Sequence, residues 1–184
     1  SEPGEGVTNT LAGRHVAITA GPTREYLDPV RYLSNPSSGK MGYALARAAA
    51  ERGARVTLIS GPVQLAAPAG VEVVAVTSTE EMAAAARRAA ESADVVIGAA
   101  APADFTPARR AEQKMKKAGR DSATLELVPT VDILLEVGTV KRPGQVLVAF
   151  AAETERLEEY ALEKMARKHA DLIVANDVTA PDAG

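Results

Sequence analysis

At 184 residues the chain is long enough for one domain with a sizeable core, and with aromatics at 3 % that core must be built from Ala, Val, Leu and Ile. A net charge of −3 argues against a general nucleic-acid or membrane-surface binder, and the absence of cysteine excludes disulfides, thiolate metal sites and a thiol nucleophile within the chain. No apolar run approaches a membrane span, and the start SEPGEGVTNTLAG has neither the basic nor the hydrophobic part of a signal peptide, so the cytoplasm is the expected location.

Residues 1–12 are polar, with Gly and Pro, and read as a tail or linker ahead of a domain over 13–184. HVAITAG (15–21) is a short β-branched run ending in Gly-Pro, a buried strand by length and flanks. A helix is predicted over 39–54, with Gly53 where a C-terminal cap belongs. Strands follow at 54–61 and 71–78. Thr79 then stands as N-cap of the acidic-fronted helix EEMAAAARRAAESA. DVVIGAAA (94–101) is again a strand. The stretch from Pro102 to Ala123 is polar, basic and without apolar periodicity; regular pattern resumes with TLELV (124–128) and a helix near VDILLEVGTV. A strand at 145–152, a helix at 157–170 and a strand at 171–177 complete the chain. Strands alternating with helices imply βαβ units and an α/β fold: a doubly wound, mainly parallel sheet with helices on both faces. Its ligand site lies beyond the carboxyl ends of the strands. The loops after the strands at 15–21, 94–101, 145–152 and 171–177 should therefore share one rim.

The loop SNPSSGKMG (34–42) ends in a Gly-Lys pair, but Ser34 and Met41 occupy positions where a Walker A loop needs Gly and Ser or Thr. What remains is a helix start at Ser38 or Gly39 with unpaired N–H groups, two serine hydroxyls, and Gly39 and Gly42 allowing a phosphate close to the backbone. The same residues equally suit a Ser-capped helix packed tightly on the sheet. Asn35 can hold a carboxylate or phosphate ester, or simply make a turn before Pro36. The basic segment near 105–123, with Arg109, Arg110, Lys114, Lys116, Lys117 and Arg120, lacks interleaved aromatics for nucleic acid; it suits a flexible cationic lid over a polyphosphate, or a solvated loop. Lys164 and Lys168 are like charges one turn apart, which a bound anion would favour and a helix C-terminus also accommodates. Asp104 is an acceptor for a base amino group, a magnesium ligand or a turn acid. A dinucleotide fold would want G-x-G-x-x-G after the first strand, where AGPTRE stands, and an acid after the second, where ISGP stands.

Taken in order and spacing, ITAGPTREYLDPVRYLSNPSSGKMG, AAAPADF, KMKK, VAFAAET and EEYALEKMARKHADLIVANDV resemble the bacterial, CTP-dependent phosphopantothenate–cysteine ligases (phosphopantothenoylcysteine synthetases) of coenzyme A biosynthesis, the ligase half of the bifunctional decarboxylase/ligase. The resemblance runs from about Gly13 to Val178. It implies a Rossmann-like, homodimeric enzyme whose substrates are 4′-phosphopantothenate, L-cysteine and CTP, with Mg²⁺ as cofactor. A flavin-dependent decarboxylase is the expected fused or associated partner. The substrate carboxylate would take CMP from CTP, releasing pyrophosphate, and the cysteine amine would then displace CMP. By resemblance Asn35 holds the phosphopantothenate end and the acyl-cytidylate, and Lys114, first of KMKK, is the lid lysine. Gly21, Ser37, Ser38, Gly39 and Gly42 form the polyphosphate cradle. Asp104, Phe150, Lys164 and Lys168 contact CTP, Gly98, Ala99 and Ala100 line the same pocket with Pro129, Thr130 and Val131, and Asn176 meets the base edge. Metal ligands are not identified. The chain departs from the family at Pro102, where relatives usually carry Val, and relatives continue past NDVTAPDAG with further strands, so part of the site or dimer contact is expected beyond this sequence. Two rival readings are a nicotinamide-dependent oxidoreductase on the same fold and a non-catalytic nucleotide-binding domain.

Overall fold

Strand β1 (His15–Ala20) is buried at every position because it lies mid-sheet with a helix layer on each face. In the computed structural model, which describes residues 8–153 and 157–177, it pairs in parallel with β4 (Arg55–Ser60) on one side and β6 (Val95–Gly98) on the other. β4 pairs onward with β5 (Val71–Ala75), and β6 with β9 (Val146–Glu153), which pairs with β10 (Leu172–Asp177). The resulting six-stranded sheet has the order β10-β9-β6-β1-β4-β5 and is parallel throughout. Direction of winding reverses between β1 and β6.

Period-two alternation divides the core between the faces. Val16, Ile18, Ala20, Val56 and Leu58 pack against α1 (Lys40–Glu51) through Tyr43, Ala46 and Ala49. Ala17, Ile59, Val96, Leu147 and Ala149 face the opposite layer, made of α2 (Thr79–Ala90), α3 (Ile133–Thr139) and part of α4 (Leu157–Lys168). Small helix residues bring the layers close. A Cβ on Gly42 would sit 2.4 Å from the Ala20 methyl, and one on Gly138 would sit 1.9 Å from the Lys168 carbonyl oxygen. The second contact is with backbone, which cannot rotate aside. Gly138→Ala is therefore expected to lower stability by about 1–3 kcal/mol. A melting midpoint within about 2 °C of the parent would show that α4 yields freely.

Helices and main strands fall where the sequence pattern places them, with three differences. Helix α1 starts at Lys40, and its N-cap is Gly39 at φ 80°, a left-handed conformation suited to glycine. Helix α2 is capped by Ser78, whose hydroxyl accepts from the Glu81 N–H at 3.1 Å; Thr79 is instead buried, its hydroxyl 2.9 Å from that of Thr23. Four short strands were not foreseen: β2 (Glu25–Tyr26) and β3 (Tyr32–Leu33) form an antiparallel hairpin, and β7 (Phe105–Pro107) pairs antiparallel with β8 (Leu127–Pro129). Within the expected tail, Leu11 donates its N–H to the Arg52 carbonyl and packs on the α1 side of the core, while residues 1–7 lie outside the described residues. Among the described residues no helix is long and apolar enough to cross a membrane.

Candidate functional site

The chain leaves β1 and β6 side by side. The Ala101 N–H donates to the Gly21 carbonyl at 2.9 Å, and a parallel bridge joins Pro22 to Ala101 beyond the strand ends. This is the switch point of the sheet, where an open α/β fold offers a crevice. A cleft of about 370 Å³ opens there, lined by Gly98, Ala100, Asp104, Thr130 and Val131. Phe150 from β9 and Lys168 from α4 close its far side. Its floor is fixed by hydrogen bonds, since Thr130 donates through its hydroxyl to the Ala103 carbonyl at 2.6 Å and through its N–H to the Asp104 carbonyl at 2.9 Å. Ala99 packs toward the α1 side instead, as alternation requires, and Pro129 lines a neighbouring hollow beside Glu25 and Arg87. Gly98 serves packing as well: a Cβ there would meet the Leu134 methyls at 2.5 and 2.6 Å.

Asp132 is a cleft residue that the sequence reading missed. Its Oδ1 accepts from the Leu135 N–H at 3.1 Å, capping α3, and lies 3.3 Å from the Lys168 ammonium. An N-cap is legible in Asp-Ile-Leu-Leu, but its pairing with α4 is set only by tertiary packing. Lys164 stands one turn before Lys168, half-buried, and Asn176 lies on β10 opposite Ala152.

The SNPSSGKMG segment lines a second hollow, of about 500 Å³, in which Ser37, Ser38 and Lys40 face Arg24 and Val63. Gly21 and Gly39 leave room for Val63, whose Cγ1 would lie 2.8 Å from a Cβ on either. The tight packing expected of the segment is present, but a serine cap is not, since α1 is capped by Gly39 with no side-chain hydrogen bond. The glycines permit close packing, and Ser37, Ser38 and Lys40 bring donors to a hollow that Pro62, Val63 and Leu65 also line. Asn35, from the same segment, is tied to the chain beyond β6, its Nδ2 donating to the Ala101 carbonyl at 3.3 Å and the Pro102 carbonyl at 3.0 Å. Pro102 itself lines the first cleft.

The basic loop spans residues 108–126 between β7 and β8, and the ammonium-bearing Lys114, Lys116 and Lys117 are exposed. It is not free-standing. The Arg110 guanidinium lies 5.0 Å over the Tyr26 ring, and the Ala111 N–H donates to the Leu27 carbonyl at 2.8 Å. The Met115 N–H donates to Asp28 Oδ2 at 2.9 Å. Lys114 therefore stands between two docking points on the β2–β3 hairpin. Beside it, the Tyr26 and Tyr32 rings meet at a 60° tilt with centroids 5.3 Å apart, and Arg24 lies 4.6 Å over Tyr32.

Burial alone would raise the Asp28 carboxyl, but the N–H groups of Met115, Val30 and Arg31 and the Arg31 guanidinium outweigh it and hold it well below the ordinary carboxylate value of 3.8. The unfolded chain thus binds this proton more readily than the folded one. Its stabilising contribution is complete above pH 3.8 and is lost as pH falls below that value. Melting curves at about pH 5 and about pH 3 should show a larger acid loss in the wild type than in Asp28→Asn; equal losses would mean that Asp28 titrates normally.

Among the described residues no group of three or more His, Asp or Glu is placed to hold a metal ion. The donor set suits a hard cation that brings most of its own oxygen ligands, with the exposed Asp104 carboxylate at the cleft rim as the available protein oxygen.

Residues 11–184 match the family model described as DNA/pantothenate metabolism flavoprotein C-terminal domain. Over 175 residues the chain is 55 % identical to the coenzyme A biosynthesis bifunctional protein CoaBC of Bacillus subtilis, an alignment covering 95 % of this chain and 43 % of that protein. It thus spans less than half the length of that curated relative. A crystal structure of the C-terminal domain of a coenzyme A biosynthesis bifunctional protein CoaBC superposes with a TM-score of 0.82 at 46 % identity, covering 93 % of this chain and 81 % of the other. A Cab2 mutant solved in complex with phosphopantothenate-cysteine shares the fold, at a TM-score of 0.77 and 18 % identity over 90 % of this chain and 73 % of the other.

Proposed function

Because the chain belongs to the DNA/pantothenate metabolism flavoprotein C-terminal domain family, we propose that it is a CTP-dependent ligase unit that joins 4′-phosphopantothenate to L-cysteine in coenzyme A biosynthesis. The observation that carries the reading is Asn35. It precedes Ser37 and Ser38, which line one hollow, and its amide is hydrogen-bonded to the Ala101 and Pro102 carbonyls, the second belonging to a residue that lines the cleft at the β1–β6 switch point. The relatives' role in coenzyme A biosynthesis and the phosphopantothenate-cysteine bound to a protein of the same fold support it.

In the proposed reaction a carboxylate oxygen of 4′-phosphopantothenate attacks the α-phosphorus of CTP, the bond to pyrophosphate breaks, and an acyl-cytidylate results. The cysteine amine then attacks the acyl carbon, the C–O bond to CMP breaks, and the amine loses a proton as the amide forms. No protein nucleophile is needed; charge at phosphorus must be met by donors. Ser37, Ser38, Lys40, Arg24 and the α1 N-terminus would receive phosphate oxygens, and Lys114 would approach from the docked loop. Lys168 and Asp104 face the first cleft, with Phe150 as an apolar wall. Lys164 and Asn176 belong to the same proposed nucleotide site. Mg²⁺, when bound, would supply neutralisation of phosphate charge, and Asp104 would be the residue to hold it. A homodimer, a cytoplasmic location and a decarboxylase partner belong to the same proposal; the relative's designation as bifunctional supports the last.

Calorimetric titration with CTP, ATP and NADPH in magnesium buffer tests the reading, followed by pyrophosphate release on adding phosphopantothenate. Heat with CTP, none with NADPH, and pyrophosphate dependent on phosphopantothenate are expected. NADPH heat alone would move the protein to the oxidoreductases, and CTP heat without pyrophosphate would make it a binding domain.

A further inference from the structure

Asp28 is fully buried, and its two carboxylate oxygens have separate partners. Oδ1 accepts from the Val30 and Arg31 N–H groups, both at 2.8 Å, which is all that the turn between β2 and β3 requires. Oδ2 accepts from the Met115 N–H at 2.9 Å and from Arg31 Nη1 at 2.5 Å. The same Nη1 also donates to the Met115 carbonyl at 2.9 Å. Both polar groups of the Met115 backbone, 84 or more positions away in sequence, are thereby held by one ion pair. A turn alone would be served by Asn; the second oxygen exists for the loop.

We propose that Asp28 is a positioning residue for Lys114, its second carboxylate oxygen latching the basic loop to the β2–β3 hairpin through the adjoining Met115 backbone. The assignment of Lys114 to the reaction rests on the ligase reading above; the latch itself does not. Asp28→Asn is the discriminating variant, because an amide oxygen preserves the turn bonds while an NH₂ group opposes the Met115 N–H.

In limited trypsinolysis, initial cleavage within residues 109–120 should rise about tenfold in Asp28→Asn, the factor that one hydrogen bond to a charged group supports. Turnover should fall about tenfold with CTP affinity held within about threefold, and in a Lys114→Gln background the same substitution should cost nothing further. Unchanged loop cleavage would overturn the latch, and an equal loss of turnover in both backgrounds would reduce Asp28 to a structural role. If Asp28→Asn fails to fold, hydrogen exchange at the Met115 amide of the wild type decides: protection of about tenfold or more is expected, and exchange at the rate of an unstructured peptide overturns the latch. Cleavage and exchange need no turnover, so they judge the latch even if the protein makes no amide product.

Discussion

Lys114→Gln is expected to bind CTP within about threefold of the wild type yet to form product roughly 100- to 1000-fold more slowly, the loss typical of removing one group that meets charge developing in a transition state. The reasoning starts from placement. Lys114 is exposed and has no role in the core, so its replacement leaves the fold intact. The backbone on both sides of it is pinned, by Ala111 on Leu27 and by Met115 on Asp28 and Arg31, so its Cα is held beside the hairpin. Glutamine keeps most of the reach and a pair of donors but removes the charge. Ground-state binding is shared among the other phosphate donors and changes little. Single-turnover assays of pyrophosphate release and amide formation would separate the two chemical steps. Normal rates in both would remove Lys114 from the mechanism.

Asn35→Asp should be as severe for a different reason. The amide NH₂ donates to two carbonyl oxygens, those of Ala101 and Pro102, and a carboxylate in its place would set negative oxygens against both. The rim between the two clefts would loosen, and a new charge would face an incoming carboxylate and phosphate. Amide formation is expected to fall about 100-fold or more, with a midpoint drop of only a few degrees, because the lost hydrogen bonds are exposed and worth about 1 kcal/mol each. Asn35→Ala separates the parts: it loses the tether without adding charge and should fall by about tenfold. Equal losses in the two variants would assign the whole effect to the tether. Unchanged amide formation in the aspartate variant would exclude Asn35 from handling the intermediate.

The sheet was legible because its signals are local. HVAITA and RVTLIS are continuous β-branched runs of the kind a two-faced parallel strand requires, and alternating helical segments leave few topologies to connect them. The N-cap of α2 was misplaced by one residue, since Ser78 and Thr79 are equally able to cap and only the buried Thr23 hydroxyl decides which one is withdrawn. The two-residue strands of the hairpin carry no periodicity at all. Gly98, Asp104, Phe150 and Lys168 of the first cleft were reached through motif resemblance, whereas Asp132 there and Arg24 in the second hollow were not, because each acts through a partner distant in sequence: Lys168 for one, the SNPSSGKMG hollow for the other. The basic loop shows the same limit. Its charge was plain in KMKK, but its docking depends on Tyr26, Leu27 and Asp28, some 84 or more positions earlier at the Arg31–Met115 and Asp28–Met115 contacts.

The paired tyrosines under that loop have an optical consequence. The chain contains no tryptophan and four tyrosines, so its ultraviolet emission comes from tyrosine alone, with no indole to capture it. Tyr43 is locked in the core against Ser60, whereas Tyr26 and Tyr32 lie on the hairpin, each beneath an arginine, and one of those arginines rides on the loop. A lifted loop would strip Arg110 from the Tyr26 face and wet the ring. The protein thus carries a native fluorophore where the loop docks, and undocking of the loop would be readable by stopped flow without a label or a single substitution.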